Sequence, residues 1–133
     1  MKKNGILNSK ISSVLSNLMH TDRIVIGDAG LPVPNNVQEI DISLKLGVPS
    51  FIDVLTEIEK DMKIEKIVLA DEIKTGNLSQ LEAINDKLGM ADEAVEFVTH
   101  EEFKKLTADA KVIIRTGEET PYSNIILQSD VIF

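Results

Sequence analysis

Apolar positions recur along this chain with two different periods, and the switches between them divide it into helices and strands. Ile11, Val14, Leu15, Leu18 and Met19 fall at i, i+3, i+4, i+7 and i+8, the stripe of an amphipathic helix. Asn8 or Ser9 can cap it, and the pattern predicts an end near His20. Residues 23–26 form a short β-branched run that stops at Gly27-Asp28-Ala29-Gly30-Leu31-Pro32-Val33-Pro34, too rich in Gly and Pro to continue as a strand. Ile40, Ile42 and Leu44 alternate with Asp41 and Ser43, the period of a half-buried strand. Ser50 can cap a second helix, with Asp53 three positions on and a buried face of Phe51, Val54, Leu55, Ile58 and Met62. Residues 64–70 predict a strand, and Leu78, Leu81, Ile84 and Leu88 a third helix closed by Gly89. Residues 95–98 predict another strand. Thr99-His100-Glu101-Glu102 then matches a capping box, which makes His100 the first residue of a fourth helix. Residues 111–115 and 125–133 bracket a polar loop. No repeat or linker interrupts this βαβα alternation, so the prediction is α/β: a single domain over residues 1–133, an open sheet with flanking helices in three layers.

Composition narrows the function more than the fold. The 133 residues are 43% hydrophobic, enough for one sizeable core. Asp and Glu number 22 against 14 Lys and Arg, a formal charge of -8. Phosphate binding draws on clustered basic residues, so this balance argues against nucleic acid. With no cysteine, disulfides, thiolate metal sites and a cysteine nucleophile drop out. No run approaches the roughly 18 apolar residues of a membrane span, and Asn4, Asn8, Ser9 and Lys10 break up any signal-peptide core after Met1-Lys2-Lys3. The expectation is a soluble, cytoplasmic, complete protein.

Only two histidines occur, each at a predicted element boundary. His20 is open to two readings, an acid/base group or a helix-end histidine whose charge suits the C-terminal dipole. His100 is either a ligand-binding imidazole or an ordinary first-turn residue. Asp28 either orients an imidazole such as His20 or closes an Asx turn. The loop at 116–124 gathers hydroxyl, carboxylate, phenol and amide groups, among them Tyr122, Ser123 and Asn124, and reads either as a ligand loop or as a solvated hairpin. Other templates fail: two histidines without local His/Glu spacing argue against zinc, the glycines match neither a dinucleotide fingerprint nor a P-loop, and no serine lies in a nucleophile elbow. What remains is a small acid/base site without metal or cofactor.

Taken together, Gly5-Ile6-Leu7-Asn8, His20-Thr21-Asp22, the segment 28–34, His100-Glu101-Glu102-Phe103-Lys104 and the segment 114–124 resemble the ribose pyranase and fucose mutarotase family over the whole chain, least closely between about 71 and 96. The resemblance implies cofactor-independent interconversion of the pyranose and furanose forms of D-ribose in the cytoplasm. His20 is then the proton donor, and Asp28, His100, Tyr122, Ser123 and Asn124 bind the sugar. It also implies a ring-forming subunit, in a homodecamer of two pentameric rings with sites shared between neighbours. The Gly30-Leu31-Pro32 continuation resembles the ribose branch. Glu119 and Ser123 depart from it, standing where relatives commonly carry a small residue or cysteine and an alanine. The alternatives are fucose-type mutarotation and a non-catalytic sugar-binding accessory of a ribose transporter.

Overall fold

The structure, a computed structural model, describes all 133 residues and joins six strands into one sheet. The strands are β1 (Arg23–Gly27), β2 (Gln38–Asp41), β3 (Ile64–Ala70), β4 (Val95–Val98), β5 (Val112–Arg115) and β6 (Ile125–Ser129), in the order β2-β5-β1-β6-β3-β4. β2, β5 and β1 run parallel, as do β3 and β4, while β6 lies antiparallel between β1 and β3. The helices are α1 (Ser9–Asn17), α2 (Phe51–Glu59), the single turn α3 (Ile73–Gly76), α4 (Leu78–Leu88) and α5 (His100–Leu106).

The central strands are apolar on both faces, so successive residues enter different cores. Ile24, Ile26, Ile67, Leu69, Val112, Ile114, Ile125 and Leu127 pack with Ile11 of α1, with Phe51, Val54, Leu55 and Ile58 of α2, and with Leu81 and Ile84 of α4. The residues between them, Val25, Val68, Ile113 and Ile126, pack with Leu31 and with Phe103 of α5. Helices thus cover both faces, the three layers the alternation predicts. Burying one such Ile or Leu contributes roughly 1.5–3 kcal/mol, and the ordering of the chain offsets most of the sum.

Local signals fall where the sequence places them. Asn8, Ser50 and Thr99 each accept a backbone N–H as N-caps, and Gly89 ends α4 in the left-handed region at φ 55°. Three boundaries differ. α1 stops at Asn17, because the chain turns at Met19–Asp22 and leaves Met19 exposed. β2 stops at Asp41: Leu44 is exposed, on a segment folded back through a Lys45–Val48 bridge. β6 stops at Ser129, leaving Ile132 and Phe133 exposed. The loop after β5 is also no hairpin, since β5 and β6 pair with opposite sides of β1. It therefore bridges the end of β1, where Asp28 emerges.

Candidate active site

The parallel strands all deliver their C-terminal ends to one edge of the sheet, where α/β proteins usually bind ligands. β1 ends at Gly27, where a Cβ would lie 2.7 Å from Leu31 Cδ2 and 3.3 Å from Asn124 Oδ1, so a side chain would push against the turn that follows. Asp28 follows. Its Oδ1 accepts from Gly30 N at 2.9 Å, and its Oδ2 accepts from Asn124 Nδ2 at 2.9 Å, while Asn124 Oδ1 accepts from Asp28 N at 2.8 Å. The Asx turn expected of Asp28 is thus present, and Oδ2 is paired with Asn124. Asn124 is fully buried and its amide is spent on orienting that carboxylate. Arg115 braces the same turn, donating from Nε to Ala29 O and from Nη1 to Asp41.

The bridging loop is stitched down by Glu118, a buried carboxylate the sequence reading passed over. Its Oε1 accepts from Phe51 N at the start of α2 (3.1 Å) and from Gln80 (3.4 Å), and its Oε2 from the Thr120 hydroxyl (2.9 Å) and N (3.2 Å). Burial pushes its pKa up, but these donors outweigh burial and hold it below the ordinary value. Ser123 is fully buried, and its hydroxyl meets Gln80, Thr120 and Asn77. Its side chain is therefore a strut of the loop. Between Pro121 and Ser123, Tyr122 adopts φ 58°, a strained conformation for a non-glycine residue. This sets its ring edge-on to His100, with centroids 5.4 Å apart.

His100 opens α5, and its backbone N–H donates to both oxygens of Glu72, at 2.8 and 3.1 Å. Its ring stacks on Phe103, and its buried Nδ1 has no hydrogen-bond partner in the chain. A buried imidazole nitrogen without a partner costs on the order of 1–3 kcal/mol unless something fills the role. Asp28, His100 and Tyr122 thus share an edge that offers a carboxylate, an imidazole nitrogen and a phenol.

His20 is elsewhere. It precedes β1 whereas Asp28 follows it, so five residues of strand at about 3.3 Å each put them roughly 15 Å apart at opposite edges of the sheet. The expected pairing of Asp28 with His20 is corrected: within one chain they do not meet. The carboxylate beside His20 is Glu65, whose Oε2 lies 3.0 Å from Nε2, with Asp130 Oδ1 at 3.9 Å. Hydrogen bonds from Gln128 and from His20 hold Glu65 below the ordinary carboxylate value. The turn carrying His20 is fixed by Asp22, whose N donates to Met19 O and whose carboxylate accepts from Met19 N. It places the β-branched Thr21 at φ 70°, a second strained residue. His20 borders a cleft of about 350 Å³ with Met62, Lys63, Asp130, Ile132 and Phe133. The donor atoms of His20, Glu65 and Asp130 lie within 4.8 Å of one another, the one set spaced to share a cation. Spacing in the sequence could not reveal that set, because its members are 45 and 65 residues apart.

An α/β sheet with imidazole and carboxylate groups at both ends of its strands offers the groups that acid/base chemistry on a small molecule uses. The chain belongs to the RbsD / FucU transport protein family, whose model matches residues 1–132. It is 56% identical to a D-ribose pyranase of Exiguobacterium sibiricum and 53% identical to one of Bacillus cytotoxicus, each over the full length of both chains. Among solved structures it resembles Bacillus subtilis RbsD complexed with D-ribose, at 50% identity and a TM-score of 0.94 over all of both chains. The fucose mutarotase of Streptococcus pneumoniae in complex with L-fucose shares the fold at 22% identity, with a TM-score of 0.80 over 96% of this chain and 95% of that one.

Proposed function

We propose that this protein is a D-ribose pyranase, an isomerase that interconverts the pyranose and furanose rings of D-ribose in the cytoplasm without a cofactor. The observation that carries the reading is the full-length likeness to a ribose-bound relative at 50% identity. The site chemistry agrees with it. Ring opening adds a proton to the ring oxygen and removes one from the anomeric hydroxyl. The bond from the anomeric carbon to the ring oxygen breaks, its electron pair stays on that oxygen, and an aldehyde forms. Reclosure by a different hydroxyl runs the same transfers in reverse, so protons balance over the cycle. Sugars open slowly in water, and a positioned acid/base contributing roughly 10²–10⁴-fold, or about 3–5 kcal/mol, suffices.

His20 is the group that moves the ring-oxygen proton; it is half exposed beside a carboxylate. Asp28, His100 and Tyr122 hold the sugar hydroxyls, with the open Nδ1 of His100 as a ready acceptor or donor. Asn124 and Ser123 serve through the carboxylate and the loop they fix, apart from their backbone groups. Because the two groups of residues stand at opposite edges of one sheet, a complete site takes His20 from one subunit and Asp28, His100 and Tyr122 from the next. That arrangement is the shared site of a five-membered ring, with two rings making a decamer.

Saturation-transfer NMR tests the reading. Added protein should carry magnetisation between the pyranose and furanose signals of ribose, and His20→Ala should abolish this while ribose still binds. Exchange between anomers only, with fucose preferred, would mark a mutarotase; ribose binding without any exchange would mark a transport accessory.

A further inference from the structure

We infer that Glu65 is the positioning residue of His20, re-aimed toward it by a β-bulge; the inference rests on the acid/base role proposed for His20. The register of β3 against β6 carries the first part. Ile64 pairs with Ser129 and Lys66 with Gln128, so two steps along β3 match one step along β6 and Glu65 is the extra residue. A bulge turns the side chain of its extra residue out of the regular alternation, and such irregularities collect beside active sites. Here it brings Oε2 of Glu65 to 3.0 Å from Nε2 of His20.

The second part is that Glu65 is itself anchored. Its Oε1 accepts from Gln128 Nε2 at 2.6 Å, and Gln128 Oε1 in turn accepts from Arg23 Nε at 2.8 Å. Arg23 fixes which way the Gln128 amide points, and Gln128 then fixes the carboxylate. Asp130 does not compete, because its Oδ1 stands 3.9 Å from the ring and accepts from Val131 N at 2.8 Å. A half-exposed imidazole on a turn would otherwise sample many orientations. With Nε2–H held by an anchored carboxylate, the ring has one orientation and Nδ1, which bonds nothing in the chain, is the nitrogen left to face the sugar. The negative charge also stabilises the imidazolium formed in each cycle, the service a carboxylate performs in other His–Asp pairs.

The test is Glu65→Gln, which keeps the shape and the contact with Gln128 but removes the charge, assayed by ring exchange over a series of ribose concentrations. Turnover should fall about 10–100-fold, part of the roughly 10²–10⁴-fold that a positioned acid/base contributes, with KM and melting temperature unchanged. The ¹⁵N resonances of His20 Nε2 and Nδ1 should both move in the variant and in opposite directions, because the amide N–H that replaces Oε2 favours the tautomer protonated at Nδ1. Unchanged turnover overturns the inference, as does a joint loss of turnover, KM and melting temperature, which would mark a merely structural residue. His20→Ala separates the two levels: if it retains exchange, the role of His20 itself falls, whereas a dead His20→Ala beside a fully active Glu65→Gln removes Glu65 alone.

Discussion

Tyr122 shows how one missing methyl group can place an aromatic ring beside His100. A Cβ on Gly76 would lie 2.8 Å from Tyr122 Cε2 and 2.9 Å from Cδ2, so the phenol occupies the space a side chain would take. Gly76 has no unusual backbone angle, and alanine in a helical turn is favoured over glycine by roughly 0.5–1 kcal/mol. Gly76→Ala should therefore leave the melting temperature within a few degrees while displacing the ring from His100. The expected outcome is a several-fold rise in KM for ribose with little change in turnover; an unchanged KM would mean that the ring contributes nothing to binding. Ser123 illustrates the opposite limit of residue-level reading. Its hydroxyl lies in a sugar-binding stretch by resemblance, yet its bonds are spent inside the loop.

At the scale of elements, the site depends on helix starts and on one loop. Thr99 Oγ1 accepts from Glu102 N and so fixes the first turn of α5, on which His100 stands. Removing such a cap costs about 1 kcal/mol, so Thr99→Ala should lower stability to urea by that amount and raise KM as His100 loosens. Glu118 ties the bridging loop to the start of α2 and to α4. Its carboxyl sits below the ordinary 4.5, so its contribution to stability is complete above that pH and is lost as pH falls through the folded-state value. Glu118→Gln should be less stable than the parent at neutral pH, and the gap should close as thermal melts are taken further below pH 4.5. A gap independent of pH would show that the charge is not what stabilises the loop.

For the whole molecule, the position of His20 relative to Asp28 governs everything else. They are eight residues apart, but a strand lies between them, and a strand carries its two flanks to opposite edges. A shared site predicts complementation. His20→Ala and Asp28→Asn proteins, each inactive alone, should regain ribose exchange when co-expressed, because a mixed oligomer with shared sites would contain interfaces with both groups intact. Absence of regained activity in confirmed mixed oligomers would rule out sharing.

Much of the fold was legible because its signals are local. Caps, β-branched runs and the closing Gly89 act within a few residues, and each falls where spacing places it. The strand between His20 and Asp28 was legible too, but closeness in sequence suggested a pairing that the length of that strand forbids within one chain. Even the bulge left a trace: Ile64 and Ile67 face one core but stand three positions apart, a lapse in the period of two. The antiparallel insertion of β6, the Glu118 network and the pairing of Glu65 with His20 join residues dozens of positions apart, and no local spacing encodes such partners. The sequence by itself determined which groups are available and on which kind of element each stands, because propensity and periodicity are properties of neighbours. Only the tertiary structure decided which groups meet, because strand order and register are set by the packing of the whole sheet.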